Sequence, residues 1–546
     1  MTALGYTLSS EEIAPEELVR LARRAEDAGF DFAMISDHFH PWTSDQGQSP
    51  FVWSVLGAVA REDSVAEEID GHPDGGLRHG RDGGGPAGDL ALAAPSGPPA
   101  SRERSSLARR RANMEGPPTR RARRAPREVS PMAMNVQPIP DVSDRINQIR
   151  ILTAEIVNRE ILPHENDLWR WRREDGSYEE SDRNRARELR HEIQTKVKQA
   201  GLWAPHLPEE YGGCGLDFME HAYMNEVLAY SIGAASLFGV VAPNSGNQKI
   251  LLKYGTAEQK QKWLVPLTEG KLESGFSMTE PDAAGSDPRS IQTTARREGD
   301  QWVINGHKWF TSNGQRADFL IVMCRTEDES SERNGKMTQI IVPTDTPGVN
   351  IVRGVEVWGR SSDHAEIIYD DVRVPLENQL GQTGSGHAAA QDRLGAGRVY
   401  HCMNSVGQMW RAFDLMVERA TTREVHGGLL ETKQFIQGFI AESYIDIQAA
   451  RLMTIHTARR MDSGLDARTD ISALKIFVPE AYHRVVDRAI QVWGAAGVSG
   501  DLPLATMYQG ARTLRLADGP DEVHKILIAK NVLKRYHAGE SWDFGN

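Results

Sequence analysis

The chain has 546 residues, a formal net charge of -13 and three cysteines. Its length suffices for roughly three to four domains. The acidic balance argues against a nucleic-acid-binding surface, and three scattered cysteines indicate neither a disulfide framework nor a zinc site. No apolar run reaches membrane-spanning length, and the acidic start Ser9-Ser10-Glu11-Glu12 is unlike a signal peptide, so a soluble, cytoplasmic protein is predicted.

Residues 1 to 60 have the pattern of a partial β/α unit. Residues 15 to 29 have helical spacing, and residues 32 to 39 are strand-like. The segment resembles the opening of the luciferase-like, deazaflavin-dependent oxidoreductases, which are (β/α)8 barrels and whose cofactor pocket includes the positions of Asp37, His38 and Trp42. Because a parallel barrel must close to pair its strand edges, this truncated fragment is not expected to be active by itself.

Residues 61 to 134 are rich in arginine, glycine and proline, and up to residue 130 they contain no lysine and no Phe, Trp or Tyr. Such a segment buries too little apolar surface to offset the entropy of ordering, which predicts a disordered linker. A basic tether for an acidic partner is the other interpretation. We hypothesise that residues 1 to about 130 derive from a fused or frame-shifted neighbouring reading frame, with Met132 or Met134 near the start of the functional protein.

From residue 135 onward the periodicity of apolar residues divides the chain into three parts. Residues 135 to 268 are mostly helical in spacing, and residues 256 to 259 read as a capping box. Residues 269 to 385 alternate with the period of two that is typical of β-strands, and residues 386 to 546 return to long helical spacing. The order predicts an α+β fold with helical domains on either side of a central β domain.

Two motifs in the β region combine hydroxyl groups with aromatic rings. They are Phe276-Ser277-Met278-Thr279-Glu280-Pro281 closing on Gly285-Ser286-Asp287, and Asn305-Gly306-His307-Lys308 followed by Trp309-Phe310-Thr311-Ser312. Hydroxyl groups beside a flat ring suit an aromatic, hydrogen-bonding cofactor such as an isoalloxazine. Asn305-Gly306 between two strand-like runs predicts a two-residue hairpin turn. An ordinary surface hairpin with a hydroxyl-rich edge is the structural alternative.

The two motifs, in this order and at this spacing, resemble the flavin-holding strands of the acyl-CoA dehydrogenase family. The turn at residues 208 to 213 and the helix start at residues 254 to 260 resemble that family's first domain. The resemblance covers about residues 140 to 540. It implies the acyl-CoA dehydrogenase fold, with an N-terminal helical domain, a central β-barrel and a C-terminal four-helix bundle, and it implies FAD as the cofactor.

Desaturation of an acyl thioester needs a base for the α-proton while the β-hydrogen leaves as hydride. In most family members the base is a glutamate in a segment that matches Ala517-Asp518-Gly519-Pro520, so the resemblance makes Asp518 the catalytic base. Other members place the base on a bundle helix before an arginine, where this chain has Gly397 and Arg398. The alternative for Asp518 is a cap of the following helix.

The resemblance also assigns ligand-binding positions. In the β region the cofactor positions are Phe276, Met278, Thr279, Ser286, Phe310, Thr311 and Ser312. In the bundle they are Arg423, His426, Gln434, Gln491, Gly494, Ala495 and Glu522. Arg423 is expected to pair with the pyrophosphate as part of a site that recruits a neighbouring subunit, and His426 replaces the family's usual phenylalanine. The substrate positions are Ser286, Gly397 and Arg398.

The run from Ala517 to His524 is most similar to the subgroup that animal members ten and eleven represent, which handles long, branched or hydroxylated acyl-CoAs. The sequence therefore predicts an FAD-dependent acyl-CoA dehydrogenase that passes electrons to an electron-transfer flavoprotein and forms a homodimer or homotetramer. A flavin oxidase of the same fold, similar to nitroalkane oxidase, and a non-catalytic flavoprotein subunit remain alternatives. No metal, nucleic-acid or membrane partner is expected.

Overall fold

The computed structural model describes residues 5–8, 17, 20, 21, 24, 28, 32–35, 133–169, 179–326 and 337–542. The chain divides into two units after residue 120. In the first unit, strands β1 (Gly5–Leu8) and β2 (Phe32–Ile35) pair in parallel, and helical positions lie between them. A parallel pair with an intervening helix agrees with the predicted β/α fragment. The predicted pocket residues Asp37, His38 and Trp42 and the linker up to residue 132 lie outside the described residues.

The second unit opens with a layer of helices. They are α1 (Asp144–Ile156), α2 (Glu165–Trp169), α3 (Glu180–Gln199), α4 (Phe218–Leu228), α5 (Ala234–Leu237), α6 (Asn244–Tyr254), α7 (Ala257–Gln259) and α8 (Val265–Glu269). Capping boxes begin α4 at Asp217 and α7 at Thr256, where each side chain accepts the N–H three residues on. The capping box predicted at Thr256 is therefore confirmed.

A β-sheet follows the helical layer. Its strands are β3 (Ser274–Ser277), β4 (Thr294–Glu298), β5 (Gln301–Thr311), β6 (Phe319–Thr326), β7 (Met337–Pro343), β8 (Val349–Gly354), β9 (Ala365–Pro375) and β10 (Gln379–Leu380). The order is β10-β7-β6-β4-β5-β9-β8, and β3 pairs in parallel with β6. Alternate residues of β6 join different apolar cores, Phe319 with α6 and α8, and Leu320 with β5 and β9. Strand β6, in the middle of the sheet, is therefore buried on both faces.

The hairpin predicted at Asn305-Gly306 is wrong, because β5 runs straight through these residues. The turn lies at Gly299-Asp300 instead, where β4 and β5 pair in register and Gly299 has φ +61°. Gly306 lies at a register shift against β9, and a Cβ there would stand 2.2 Å from Thr293 Oγ1. Gly306 therefore allows a β-bulge and the close approach of Thr293, and it does not form a turn.

Long helices form the rest of the second unit. They are α9 (Gly386–Thr422), α10 (Gln434–Asp462), α11 (Arg468–Trp493), α12 (Leu504–Leu514) and α13 (Asp521–His537), with a short hairpin of β11 (Glu424–Val425) and β12 (Gly428–Leu429) between α9 and α10. Met409, Ile447 and Leu474 are fully buried where α9, α10 and α11 meet. The bundle therefore has a core of its own, as its sequence pattern predicted.

Across the described ranges, no helix combines the length and the apolar composition that crossing a membrane requires. Cys214, Cys324 and Cys402 are free and buried. Burial raises the pKa of the Cys324 and Cys402 thiols to about 12. Protonated and shielded thiols are poor nucleophiles, so neither is a catalytic candidate.

Candidate active site

A buried ion pair joins the two strand motifs. Lys308 Nζ donates to Glu280 Oε1 and to the Met278 carbonyl, each at 2.8 Å, and the two charged side chains are 0% and 5% exposed. Glu280 also accepts the N–H groups of Gln292 and Thr293. Burial would raise the pKa of Glu280, but the charge of Lys308 and these hydrogen bonds hold it below its ordinary value. The pair fixes the turn after β3 against β5.

The hydroxyl groups of the motifs have different surroundings. Thr311 is fully buried, and its hydroxyl lies 3.0 Å from Ser277 Oγ, which also accepts from Tyr369 Oη at 3.0 Å. Ser312 is half-buried, and its Oγ lies 2.9 Å from His364 Nδ1. The Thr311 hydroxyl therefore ties β5 to β3, and its predicted cofactor contact stays a prediction.

Phe310 presents an exposed ring beside these strands. Its φ of +48° is a conformation that costs a residue with a Cβ roughly 1–2 kcal/mol, and its side chain is 41% exposed. Its ring centre lies 4.9 Å from that of Trp309 and 5.8 Å from that of His364. Phe276 of strand β3 lies opposite Ser312, which follows the end of β5. A strained, exposed ring next to a half-buried hydroxyl fits a flat cofactor with hydrogen-bonding edges, so these residues fit the FAD that the sequence predicts.

The remaining β-region positions lie on the loop after β3. The Thr279 carbonyl accepts the Trp309 N–H at 3.0 Å, which places the loop beside β5. A Cβ at Gly285 would stand 3.7 Å from the Thr279 methyl group, and the next residue, Ser286, is exposed. Six of the predicted cofactor positions in the β region therefore lie together where β3 and β5 meet, and Ser286 lies on the adjoining loop. The six are Phe276, Met278, Thr279, Phe310, Thr311 and Ser312.

The Asp518 carboxylate faces helix α9. A Cβ at Gly397 would stand 3.3 Å from Asp518 Oδ2, and His401 Nε2, one turn further on, lies 3.4 Å from the same oxygen. The Asp518 backbone has φ +57°, and Arg398 Nε donates to its carbonyl at 2.8 Å. Helix α13 begins after Pro520 without a side-chain cap. Asp518 therefore does not cap that helix, and its side chain is directed at α9.

Three groups on α9 act on the Asp518 carboxylate. Burial by itself raises the pKa of Asp518, but the hydrogen bond and charge of His401 and the charges of Arg393 and Arg398 outweigh it. The pKa therefore lies well below its ordinary value of 3.8. Asp518 is ionised at neutral pH, as a proton acceptor must be.

Arg393 connects the carboxylate to the strand motifs. Its Nε donates to Asn247 Oδ1 of α6 at 3.1 Å, and its guanidinium carbon lies 4.0 Å from the centre of the Phe276 ring. A Cβ at Gly246 would stand 2.9 Å from Arg393 Nε, so the bare glycine makes room for the guanidinium. Helices α6 and α9 and strand β3 therefore meet at Arg393, which places Asp518 and the Phe276 ring in one region.

The predicted cofactor positions of the bundle lie at helix ends. Arg423 follows α9, and His426 forms the turn of the β11–β12 hairpin with φ +45°. All seven positions are exposed: Arg423, His426, Gln434, Gln491, Gly494, Ala495 and Glu522. Between described residues, no hydrogen bond or ion pair joins Arg423 or Gln491 to the strand motifs. Their role in binding the cofactor stays a prediction.

The sequence interpretation missed two residues at the site. Arg393, Gly397 and His401 are spaced by four residues along α9, and this spacing places them on one face of a helix. The spacing could have indicated that whichever carboxylate reaches Gly397 also meets His401.

Comparison with known proteins identifies the three parts of the second unit. Residues 143–271, 275–372 and 384–533 match the models of the N-terminal, middle and C-terminal domains of acyl-CoA dehydrogenases. Residues 1–65 match the model of luciferase-like monooxygenases. Both resemblances inferred from the sequence are therefore confirmed.

Similar proteins cover most of the second unit. Acyl-CoA dehydrogenase family member 10 of Mus musculus is 39% identical over 72% of this chain and 37% of its own length, and family member 11 of Gallus gallus is 38% identical over 70% and 50%. The match thus spans half or less of these two relatives. "Probable acyl-CoA dehydrogenase FadE2" of Mycobacterium tuberculosis is 44% identical over 63% of this chain and 85% of its own length.

Solved structures agree with these relatives. The acyl-CoA dehydrogenase of Geobacillus kaustophilus is 27% identical with a TM-score of 0.63, covering 72% of this chain and 99% of that one. Butyryl-CoA dehydrogenase of Megasphaera elsdenii is 27% identical with a TM-score of 0.62, over the same shares. The fold is that of these enzymes, and the chain belongs to the acyl-CoA dehydrogenase family.

Proposed function

We propose that the chain is an FAD-dependent acyl-CoA dehydrogenase that introduces an α,β double bond into an acyl-CoA thioester, with Asp518 as the base. The observation that carries the proposal is the 3.3 Å between Asp518 Oδ2 and the Cβ position of Gly397. The family uses two alternative places for its base, and here they converge. The first place holds the Asp518 carboxylate and the second holds Gly397, which has no side chain, so no second carboxylate competes with Asp518 as the base.

The residues at the site have distinct roles in this reaction. FAD, when bound, supplies the acceptor for the β-hydride. Phe276, Phe310 and Ser312 offer the rings and the hydroxyl that would hold its flavin. Asp518 takes the α-proton as the Cα–H bond breaks, and the electrons of that bond form the double bond. Arg398 fixes the backbone of the base through its 2.8 Å hydrogen bond.

Substitution of the base tests the proposal. Asp518→Asn keeps the size of the side chain and removes its basicity, so flavin reduction by acyl-CoA should slow by about 10²–10⁴-fold while bound FAD is retained. The rate is measured as the anaerobic loss of flavin absorbance. The control is Asp501→Asn, at an exposed position before α12, which should leave the rate unchanged. A loss smaller than tenfold, about 1.4 kcal/mol, would exclude Asp518 as the base.

The electron acceptor separates the proposed function from its alternatives. We infer an electron-transfer flavoprotein as the acceptor, so the reduced enzyme should react slowly with oxygen. Rapid oxygen consumption without an added acceptor would indicate a flavin oxidase of the same fold. A yellow protein that no member of a panel of long, branched and hydroxylated acyl-CoAs bleaches would indicate a non-catalytic flavoprotein.

We also infer that a second copy of the chain completes the cofactor site. The exposed positions of Arg423 and Gln491 support this, because no described contact joins them to the strand motifs of their own chain. Arg423→Ala should lower the ratio of FAD to protein in the purified oligomer without changing its sedimentation coefficient, since a bidentate cation for the pyrophosphate is lost. An unchanged ratio would exclude Arg423 from the site.

A further inference from the structure

His401 lies on α9 four residues after Gly397 and faces Asp518. Its Nε2 stands 3.4 Å from Asp518 Oδ2, and the two side chains are 31% and 22% exposed. We propose that His401 is the positioning residue of the base and holds the Asp518 carboxylate beside Gly397 through an Nε2–H group directed at Oδ2. This inference rests on the function proposed above.

The geometry of Asp518 explains why such a residue is needed. Its side chain is one methylene shorter than the glutamate of most relatives, so its oxygens reach less far from the backbone. Arg398 Nε holds the backbone carbonyl of Asp518 and not its carboxylate. Among the described residues, His401 is the one side chain within ion-pair distance of that carboxylate. Loss of His401 would leave the short base without a fixed direction.

Other charged groups face the same carboxylate and would remain in a His401 variant. They are Arg393 and Arg398 on α9 and Lys475 on α11, whereas His524 on α13, whose pKa burial lowers to about 4, is neutral and bonds to the Asp518 backbone. Among the influences that lower the pKa of Asp518, His401 is the largest, and burial opposes it. Removing His401 therefore raises the pKa of Asp518, so the acidic limb of the rate profile moves to higher pH. A merely structural role would lower the rate without moving that limb.

Two variants of His401 separate positioning from packing. His401→Gln keeps an N–H donor at a similar reach, and His401→Leu removes the donor while filling the space. We expect His401→Leu to reduce its flavin at least about tenfold more slowly than wild type, because a hydrogen bond to a charged group is lost. His401→Gln should stay within about threefold. Bound FAD and the Kd for acyl-CoA should be unchanged in both.

A second histidine and aspartate pair supplies the control. His456 Nε2 lies 3.8 Å from Asp470 Oδ1, with the histidine 57% exposed, and His456→Leu should reduce its flavin at the wild-type rate. If His401→Leu does not fold, His401→Asn is used in its place. The asparagine amide is too short to reach Asp518 Oδ2 from α9, so this variant also lacks the hydrogen bond.

Three results would overturn the inference. His401→Leu could keep the wild-type rate and acidic limb, or the Leu and Gln variants could lose rate equally with the limb unmoved. Wild-type enzyme that no acyl-CoA reduces would overturn the proposed function and this inference with it. That last result differs from the other two, in which the wild type reacts.

Discussion

Two glycines of α9 differ in what faces them. A Cβ at Gly397 would stand 3.3 Å from Asp518 Oδ2, whereas a Cβ at Gly395 would meet nothing within 4 Å. Alanine is better than glycine in a helix by up to about 1 kcal/mol, so Gly397→Ala and Gly395→Ala should each raise the free energy of unfolding. Gly397→Ala should also slow flavin reduction by about tenfold, because the methyl group displaces the carboxylate. Urea unfolding measures the stability of both variants. Equal rates of flavin reduction in the two variants would contradict the contact between Gly397 and the base.

The Glu280–Lys308 pair predicts a large loss of stability from one substitution. Lys308→Met leaves the carboxylate of Glu280 buried without its partner, which should lower the free energy of unfolding by about 3–5 kcal/mol. Lys308→Met with Glu280→Gln should recover part of that loss, because no buried charge remains. Lys271→Met is the control, since its pair with Glu269 is mostly exposed and should contribute at most about 1 kcal/mol. Denaturant unfolding of the three variants gives the comparison.

The helices around the site pack against two uncharged histidines. His206 Nε2 lies 2.8 Å from Gln248 Oε1 of α6, and His221 of α4 stacks against it with ring centres 6.3 Å apart. The Tyr400 ring of α9 lies 4.8 Å from that of His221. Burial, followed by the charge of Lys249, lowers the pKa of His206 to about 3. Three elements therefore meet at groups that must stay neutral.

This packing predicts a loss of stability in acid. The unfolded chain protonates His206 near its ordinary pKa of 6.5, and the folded chain does so only near pH 3. The stabilisation is present above pH 6.5 and falls by about 1.4 kcal/mol for each pH unit below it. His206→Gln should therefore flatten the fall in the free energy of unfolding measured by urea between pH 6.5 and 4.5. An unchanged slope would show that the folded protein binds a proton at His206 as readily as the unfolded chain does.

The elements show which local signals could be trusted. Helices α9 and α10 follow from apolar residues at helical spacing and strand β9 from alternation, because each pattern reports a face that the fold buries. Strand β6 is instead a continuous apolar run, because both of its faces are buried. Asn305-Gly306 misled because a turn-forming dipeptide is a local signal, and here the ladder with β9 and contact with Thr293 decide the backbone. The buried Lys308 was likewise not expected, since its partner lies 28 residues away.

At the scale of the molecule, the site depends on contacts that no local pattern reports. Asp518 and Gly397 are far apart in sequence, and only the packing of the bundle brings them within 3.3 Å. Family resemblance named both positions, but it could not show that they are one place in space. The contact of Arg393 with Phe276 similarly joins a bundle helix to a strand. The sequence therefore names candidate residues, and the structure shows which of them lie together.

The division of the chain leads to a prediction about its first part. The second unit begins at Arg121, and its first described residues are tied down by hydrogen bonds. The Met134 N–H and carbonyl both pair with the Asn158 side chain, at 2.9 and 3.1 Å, and the Ile139 N–H and carbonyl pair with that of Asn147. A chain that begins at Met132 keeps all four bonds and the whole site. It should therefore match the full-length protein in melting temperature, FAD content and rate of flavin reduction.

A longer deletion provides the contrast. A chain that begins at Asp141 loses the four hydrogen bonds to Asn158 and Asn147, each contributing about 0.5–1.5 kcal/mol, and should melt at a lower temperature than the chain that begins at Met132. The site residues remain in both, so their rates of flavin reduction should agree at a temperature where both are folded. A slower rate or lower FAD content in the Met132 chain would show that residues 1–131 contribute to the flavin enzyme, against the hypothesis of a separate origin.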